Sequence, residues 1–260
     1  MDVILECKEV SKQFGDFTAL NKVSFTVPKN TIFGIAGPNG AGKTTLFNVI
    51  TSNPFPASAG KIIFSGEEIQ NLAPYKIVHK GVLRTFQNPV LFKNFNYLKS
   101  VMVGSIYGNT PNLWQNLFKF KKNDIEKKSE YALDLVGLGG KKNNSMMHAS
   151  QLDLKLLMFA SAIAANPKLL LLDEPVSGLT DHEIEEIRDI IIKIHKDLKL
   201  TIFIIEHIMK FLMNISDNVL ILNFGEVICQ GMPKQVVNDD EVIKCYLGEE
   251  YQNIVTFSRE

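Results

Sequence analysis

The sequence has no excess of charge of either sign: 28 Lys and Arg stand against 28 Asp and Glu. A formal net charge of zero excludes a nucleic-acid binder driven by bulk positive field and leaves recognition to local sites. Cysteine is scarce. Cys7, Cys229 and Cys245 are odd in number and far apart, with no CxxC pair and no metal-ligand spacing. That set excludes a disulfide framework and a zinc module, and it suits free, buried thiols in a reducing compartment. Long apolar runs are missing too: Leu169–Leu172 and Thr201–Ile205 fall far below the ~20 residues that cross a bilayer. The opening MDVILECKEV is acidic where a signal peptide is basic, and its apolar part is too short for an h-region, so no secretion is implied. Internal repeats, long linkers and low-complexity tracts are likewise absent. Service to a membrane, if there is any, runs through a partner.

What is present is a chain of 260 residues, 45% hydrophobic, long enough for a full core and near the upper size of one domain. Val3–Val10 and Ala19–Pro28 alternate apolar and polar residues around the turn-rich SKQFGDFT, which predicts an N-terminal antiparallel β layer. TIFGIA then predicts a short buried strand entering a Gly-rich loop, and KTTLFNVIT a helix after it. Between about residues 89 and 165 the apolar pieces LKSVMVGSIY, NLWQNLFKF and SEYALDLVGL have helical spacing, so a helical insertion is expected there. Lys119, Lys121, Lys122, Lys127 and Lys128 make a basic cluster in it, read as a solvated helix face, with contact to anionic lipid or a partner as the alternative. After Pro167 an α/β rhythm resumes with KLLLLDEP, HEIEEIRDIIIKIHKDL and TIFIIEH, and NVLILNFGEVICQG closes as two strands around an Asn-Phe-Gly turn. The expected fold is α/β: one unit over residues 1–260, a P-loop NTPase (RecA-like) core with an antiparallel β subdomain and an inserted helical subdomain.

The chemistry starts at GPNGAGKTT, residues Gly37, Pro38, Asn39, Gly40, Ala41, Gly42, Lys43, Thr44 and Thr45. This is G-x-x-x-x-G-K-[ST] between a strand and a helix, the context that a phosphate-binding loop requires. Its glycines let backbone N–H groups curl around phosphate oxygens, and the helix N-terminus adds partial positive charge. Lys43 is expected to meet the β and γ phosphates, and Thr44 to ligate Mg²⁺. LLLLDE puts Asp173 at the C-terminal edge of a strand, where ligands of open parallel sheets collect, 130 residues after Lys43. Asp173 would hold Mg²⁺ through water, and Glu174 would polarise the attacking water as general base. His207, ending the next strand in IIEH, should emerge on the same edge to contact the γ-phosphate and to position Glu174 and the water.

Taken together, GPNGAGKTT, Gln87 in RTFQN, LLLLDEP and His207 in IIEH resemble, in order and spacing, the ATP-binding subunit of an ABC transporter, over essentially the whole chain. GVLRTFQNPVLFKNFNYLKSVMVGSI and the late YLGEE look like the ATPases of branched-chain and related amino-acid importers, while SGLTD is more like the urea-type members. The resemblance implies ATP and Mg²⁺ as ligands, and it implies partners: a second ATPase subunit, integral membrane permeases and, indirectly, a solute-binding protein, with no nucleic acid. It makes Gln87 a sensor of Mg²⁺ and the γ-phosphate, catalytic alongside Glu174 and His207, and Phe14 the aromatic that stacks on adenine. Ser177–Asp181 becomes the segment where two ATPase subunits touch. A largely non-hydrolytic regulatory subunit, or an ABC ATPase outside import, is the alternative.

One motif departs. Where the family carries its signature, LSGGQ or LSYGQ, this chain has Ala149–Asp153, ASQLD: Ser150 is retained, Leu152 replaces glycine and Asp153 replaces glutamine. Ser161 stands in place of the following arginine. In an ABC dimer this segment closes over the partner's ATP, with Ser150 contacting the γ-phosphate. Leu152 is then expected to crowd the approach, and Asp153 to set a negative charge near a polyanion. At ~4 Å and an effective dielectric near ~20, one such contact is worth ~4 kcal/mol before screening. The expected outcome is a heterodimer with one competent and one impaired site. Ser150 and Asp153 also form an S-x-x-D capping pattern.

Overall fold

The computed structural model describes residues 2–85, 94–108 and 122–245. Its first layer is antiparallel, with β1 (Val3–Phe14) and β2 (Phe17–Pro28) forming a hairpin, and β4 (Ala59–Phe64) and β5 (Glu67–Glu68) completing the order β2-β1-β4-β5. The connector expected over SKQFGDFT shrinks to Gly15-Asp16. Lys12, Gln13 and Phe14 pair with Leu20, Thr18 and Phe17, so the ladder consumes most of the polar stretch.

The second layer is a six-stranded sheet of β3 (Ile32–Ala36), β6 (Val82–Arg84), β7 (Leu169–Asp173), β8 (Thr201–Ile205), β9 (Asn218–Asn223) and β10 (Glu226–Gly231). Its order is β10-β9-β3-β8-β7-β6, parallel throughout except for the edge strand β10. Strands β3, β7 and β8 are buried along their whole length, which is why they read as unbroken apolar runs. The period-2 alternation of a strand still sorts their side chains between two cores. Phe33, Ile35, Leu169, Leu171, Phe203 and Ile205 face the antiparallel layer, whereas Ile32, Leu170, Leu172, Ile202 and Ile204 face the helices. On the first side Phe203 meets Phe25, Phe33 and Phe47 edge-on, with ring centroids 5.8, 5.1 and 5.0 Å away. Such geometry adds about 0.5–1.5 kcal/mol per pair beyond area burial.

Phe47 belongs to α1 (Lys43–Thr51), whose Leu46, Phe47, Val49 and Ile50 are buried in that same core, as is Ile77 of the short α2 (Pro74–Lys80). On the opposite face α3 (Tyr97–Gly108), α4 (Lys122–Leu135) and α5 (Gln151–Ala164) pack on one another. A Cβ on Gly104 would stand 2.5 Å from the Ser161 carbonyl, so α3 and α5 approach at a glycine. α4 begins seven residues before the SEYALDLVGL stretch, and NLWQNLFKF lies outside the described residues. The amphipathic α6 (Asp181–Leu198) opens on a capping box between Thr180 and Glu183 and buries Ile187, Ile191 and Ile194. Of the three cysteines only Cys7 is buried; Cys229 and Cys245 are half-buried, which corrects the expectation for those two.

Gly34 in β3 faces α7 (Met209–Ile215), and a Cβ there would meet Ser216 Oγ at 2.7 Å and Leu212 Cγ at 2.9 Å. Gly34→Ala should therefore destabilise the fold by about 1–3 kcal/mol, as overpacking of a filled core does, readable as a lowered denaturation midpoint at unchanged m-value.

Candidate functional site

The loop that leaves β3 is shaped by contacts on its outer side. Gly37 has φ 153, and a Cβ on it would lie 2.1 Å from the Leu222 carbonyl; Gly42, at φ 101, would place one 2.7 Å from the Ala19 carbonyl. Any side chain at either position would drive the loop off its neighbours. The β9–β10 turn braces it further, since Gly225 N–H donates to the Ala41 carbonyl at 3.0 Å and Asn21 N–H to the Gly225 carbonyl at 2.8 Å. Lys43 is buried, and its amine donates to the carbonyls of Gly37 (2.7 Å) and Pro38 (3.0 Å), spanning the loop from within. α1 starts at Lys43 with no side-chain cap and no acidic residue in its first turn. Its leading N–H groups and Thr44, which is exposed, face outward with the loop, the arrangement that receives phosphate oxygens.

Parallel register brings the other groups to this level. Ile35 of β3 pairs with Ile205 of β8, and Ile205 with Asp173 of β7. Asp173 is buried against Arg84, whose guanidinium donates to Asp173 Oδ2 and, at 2.7 Å, to Asn48 Oδ1 of α1, while lying 5.5 Å from the Phe47 ring centroid. Glu174 follows in a left-handed backbone conformation, φ 48, which few residues other than glycine adopt. Its N–H donates to the Ile205 carbonyl at 3.0 Å, and its carbonyl accepts from the Lys155 amine at 3.0 Å. His207 lies two residues beyond β8 with Nδ1 3.9 Å from Glu174 Oε1. The structure therefore draws the Gly37–Thr45 loop, Asp173, Glu174 and His207 to one sheet edge.

Three contributors escaped the sequence reading. Glu206 is wholly buried; Oε1 accepts from Val176 N–H at 3.0 Å and Oε2 from His207 N–H at 3.2 Å. Burial pushes its carboxyl above the usual range, against the pull of those backbone donors and His207. Lys155 is buried in α5, and burial pulls its ammonium down while Glu206, Glu174 and Asp173 hold it up. Arg84 is the third. Each left a faint signal: a carboxylate inside an apolar strand end (IIEH), the one cation in LLMFASAIA's helix, and an arginine ending VLR.

Gln87 and the YLGEE stretch lie outside the described residues. Phe14 is 43% exposed beside the β1–β2 turn, edge-on to Phe55 at 4.9 Å, with the Lys12 amine 5.0 Å from its ring centroid. A hollow of about 430 Å³ bounded by Glu67, His79, Lys80 and Lys168 sits at the opposite edge of the sheet, where β6 and β7 begin, and takes none of these groups.

The start of α5 corrects one expectation. Ser150 is the N-cap, its Oγ accepting from Asp153 N–H at 3.0 Å. The Asp153 side chain is buried and turned inward, accepting from the Tyr97 hydroxyl at 2.8 Å and the Lys141 amine at 3.0 Å. Its charge is neutralised within the chain and is not presented to a ligand; a carboxylate that has two donors beside it has no reason to face a polyanion. Burial and this hydrogen bond push the Tyr97 phenol well above its ordinary range. Leu152 leans on the helical-side core with part of its surface outside, and the Gln151 amide covers Gly178, where a Cβ would approach it to 2.4 Å.

A Gly-rich loop opening a helix, and acidic and histidine residues at the ends of the neighbouring strands, define a P-loop nucleotide-binding cassette. Comparison with known proteins narrows this: the ABC transporter family model matches residues 20–177. The chain is 37% identical over 252 residues to the high-affinity branched-chain amino acid transport ATP-binding protein BraF of Pseudomonas aeruginosa (95% of this chain, 98% of that one). It is 32% identical over 251 residues to LivG of Escherichia coli K12 (95% and 98%). The solved ADP conformation of MJ1267, an ATP-binding cassette of an ABC transporter, superposes with a TM-score of 0.85 at 30% identity, covering 96% of this chain and 100% of that one. The chain belongs to the ABC transporter family of ATP-binding, ATP-hydrolysing cassettes.

Asp153→Ala would strand the buried Tyr97 hydroxyl and release Lys141. It should lower unfolding free energy by about 1–3 kcal/mol in denaturant titration, whereas a surface carboxylate would stay within about 0.5 kcal/mol.

Proposed function

We propose that this chain is the ATPase of an importer of amino acids or a related small polar solute such as urea, attached to the inner face of a membrane through permease subunits. The amino-acid reading rests on what BraF and LivG are named for. Among the described residues no helix is long and apolar enough to cross a membrane, so the attachment is assigned to partners. The observation that carries the ATPase reading is the shared sheet edge, where Glu174 and His207 stand beside the loop that ends in Lys43 and Thr44.

In this reading the Gly37–Thr45 backbone and Lys43 hold the phosphates, and Phe14 offers its ring to adenine. Glu174 takes a proton from the attacking water as oxygen bonds to the γ-phosphorus and the bond to the β-phosphate oxygen breaks, leaving ADP and phosphate. His207 donates to the γ-phosphate and keeps the water aligned, and Gln87 joins it from outside the described residues. Thr44 and Asp173 would hold Mg²⁺, with Gln87 as a third ligand from outside the described residues. Among the described residues no three His, Cys, Asp or Glu are grouped so as to hold a metal ion, and the one hydroxyl and one carboxylate these residues contribute are oxygen donors that fit a hard cation arriving with phosphate and water. When bound it would neutralise phosphate charge.

The partner reading is a second ATPase subunit whose signature completes this chain's site, with Ser177–Asp181 at the contact. Ser150 keeps its hydroxyl proton for the partner's γ-phosphate, because as N-cap its oxygen only accepts. With Asp153 turned inward, inequality of the two sites rests on the outward part of Leu152. In the assembled complex, Glu174→Gln should cut ATP turnover by about 10²–10⁴ while leaving ATP affinity within about twofold, and the equivalent partner change should cost far less. Equal losses from the two would refute the unequal heterodimer, and retained turnover in Glu174→Gln would refute the general-base assignment.

A further inference from the structure

Glu174 occupies a conformation that its own chemistry disfavours. A side-chain-bearing residue at φ 48 persists only where its surroundings fix it, and here both of its backbone polar groups are tied. The N–H is held by the Ile205 carbonyl of β8, and the carbonyl by the Lys155 amine of α5. Lys155 is 4% exposed, which leaves no solvent to replace that donor if the amine is removed. On the other side, Glu206 fastens Val176, two residues after Glu174, to His207 through its two carboxylate oxygens. The carboxylate and the imidazole thus stand 3.9 Å apart because a buried lysine and a buried glutamate hold the backbone on which each is mounted.

We propose that Lys155 and Glu206 are positioning residues for Glu174 and His207, and that through Lys155 the first turns of α5 and the Glu174 backbone move as one unit. Lys155 stands five residues after Ser150, about 7.5 Å along the helix. A displacement of the Ser150 end of α5 therefore pulls on the Glu174 carbonyl directly. This gives the chain an internal link between the segment that would meet a partner's nucleotide and the acid at its own. The proposal rests on the reading of Glu174 as general base. The competing role for Lys155 is charge balance for Asp173, Glu174 and Glu206, which would affect stability but not the chemical step.

The experiment compares Lys155→Met, Lys155→Arg, Glu174→Gln and the Lys155→Met/Glu174→Gln double variant in the full chain assembled with its partner subunits. Steady-state ATP turnover is read as kcat and KM separately, with thermal melting alongside. Positioning predicts that Lys155→Met lowers kcat about tenfold or more with KM for ATP within about twofold, because ground-state binding is untouched. Lys155→Arg, whose guanidinium can still donate to the carbonyl, should recover kcat to within about threefold. The double variant should be no slower than Glu174→Gln alone, since Lys155 acts only through that residue. Should Lys155→Met not fold, Lys155→Gln, polar but too short to reach the carbonyl, carries the same prediction. An unchanged kcat in the folded lysine variant, with turnover abolished in Glu174→Gln, overturns the positioning role and leaves the general base standing. Turnover retained in Glu174→Gln overturns the general base instead.

Discussion

The register of three parallel strands is the constraint on which the rest depends. Because Ile35, Ile205 and Asp173 sit side by side in β3, β8 and β7, the chain leaves all three strands at one level, and whatever follows them meets in space. Gly37 turns the loop over one strand, Glu174 crosses the second and His207 follows the third. A slip of one residue in any of the three would turn its side chains to the other face and dismantle both cores as well as the site. Burial of Phe33, Phe203 and Leu171 on one side and Ile202, Ile204 and Leu172 on the other holds the register against such a slip.

The framework was legible because its signals are local. A strand that is apolar throughout, a glycine pattern tied to one loop geometry and a capping box before α6 each carry their meaning within a few residues. The same locality explains what was missed. Nothing within five residues of Lys155 announces that its amine reaches Glu174, nineteen positions away, and Glu206 looks like any strand-end acid until its two backbone donors are seen. The β1–β2 connector is shorter than its polar composition suggests, because pairing of β1 with β2 and β4 tolerates polar residues on an exposed face.

Asp153 carries the sharper lesson. Its charge, placed by sequence beside a phosphate, bears on the nucleotide only if the side chain points outward. Tyr97 from α3 and Lys141 from the turn after α4 provide donors on the inner side, and a helix first turn allows either direction. The substitution that looked like damage to a ligand site is part of a buried polar group joining three segments of the helical layer. What remains of the altered signature is a question about Leu152 and packing, because Ser150 caps its helix and keeps its proton.

The central claim, that one sheet edge receives the nucleotide, is tested most directly by amide hydrogen exchange of the full chain with and without Mg-ATP. The account predicts slowed exchange in residues 37–45 together with residues 173–177 and 205–208, and no change around the hollow formed by His79, Lys80 and Lys168. Protection confined to the loop, with none at the ends of β7 and β8, or protection centred on that hollow, would contradict it.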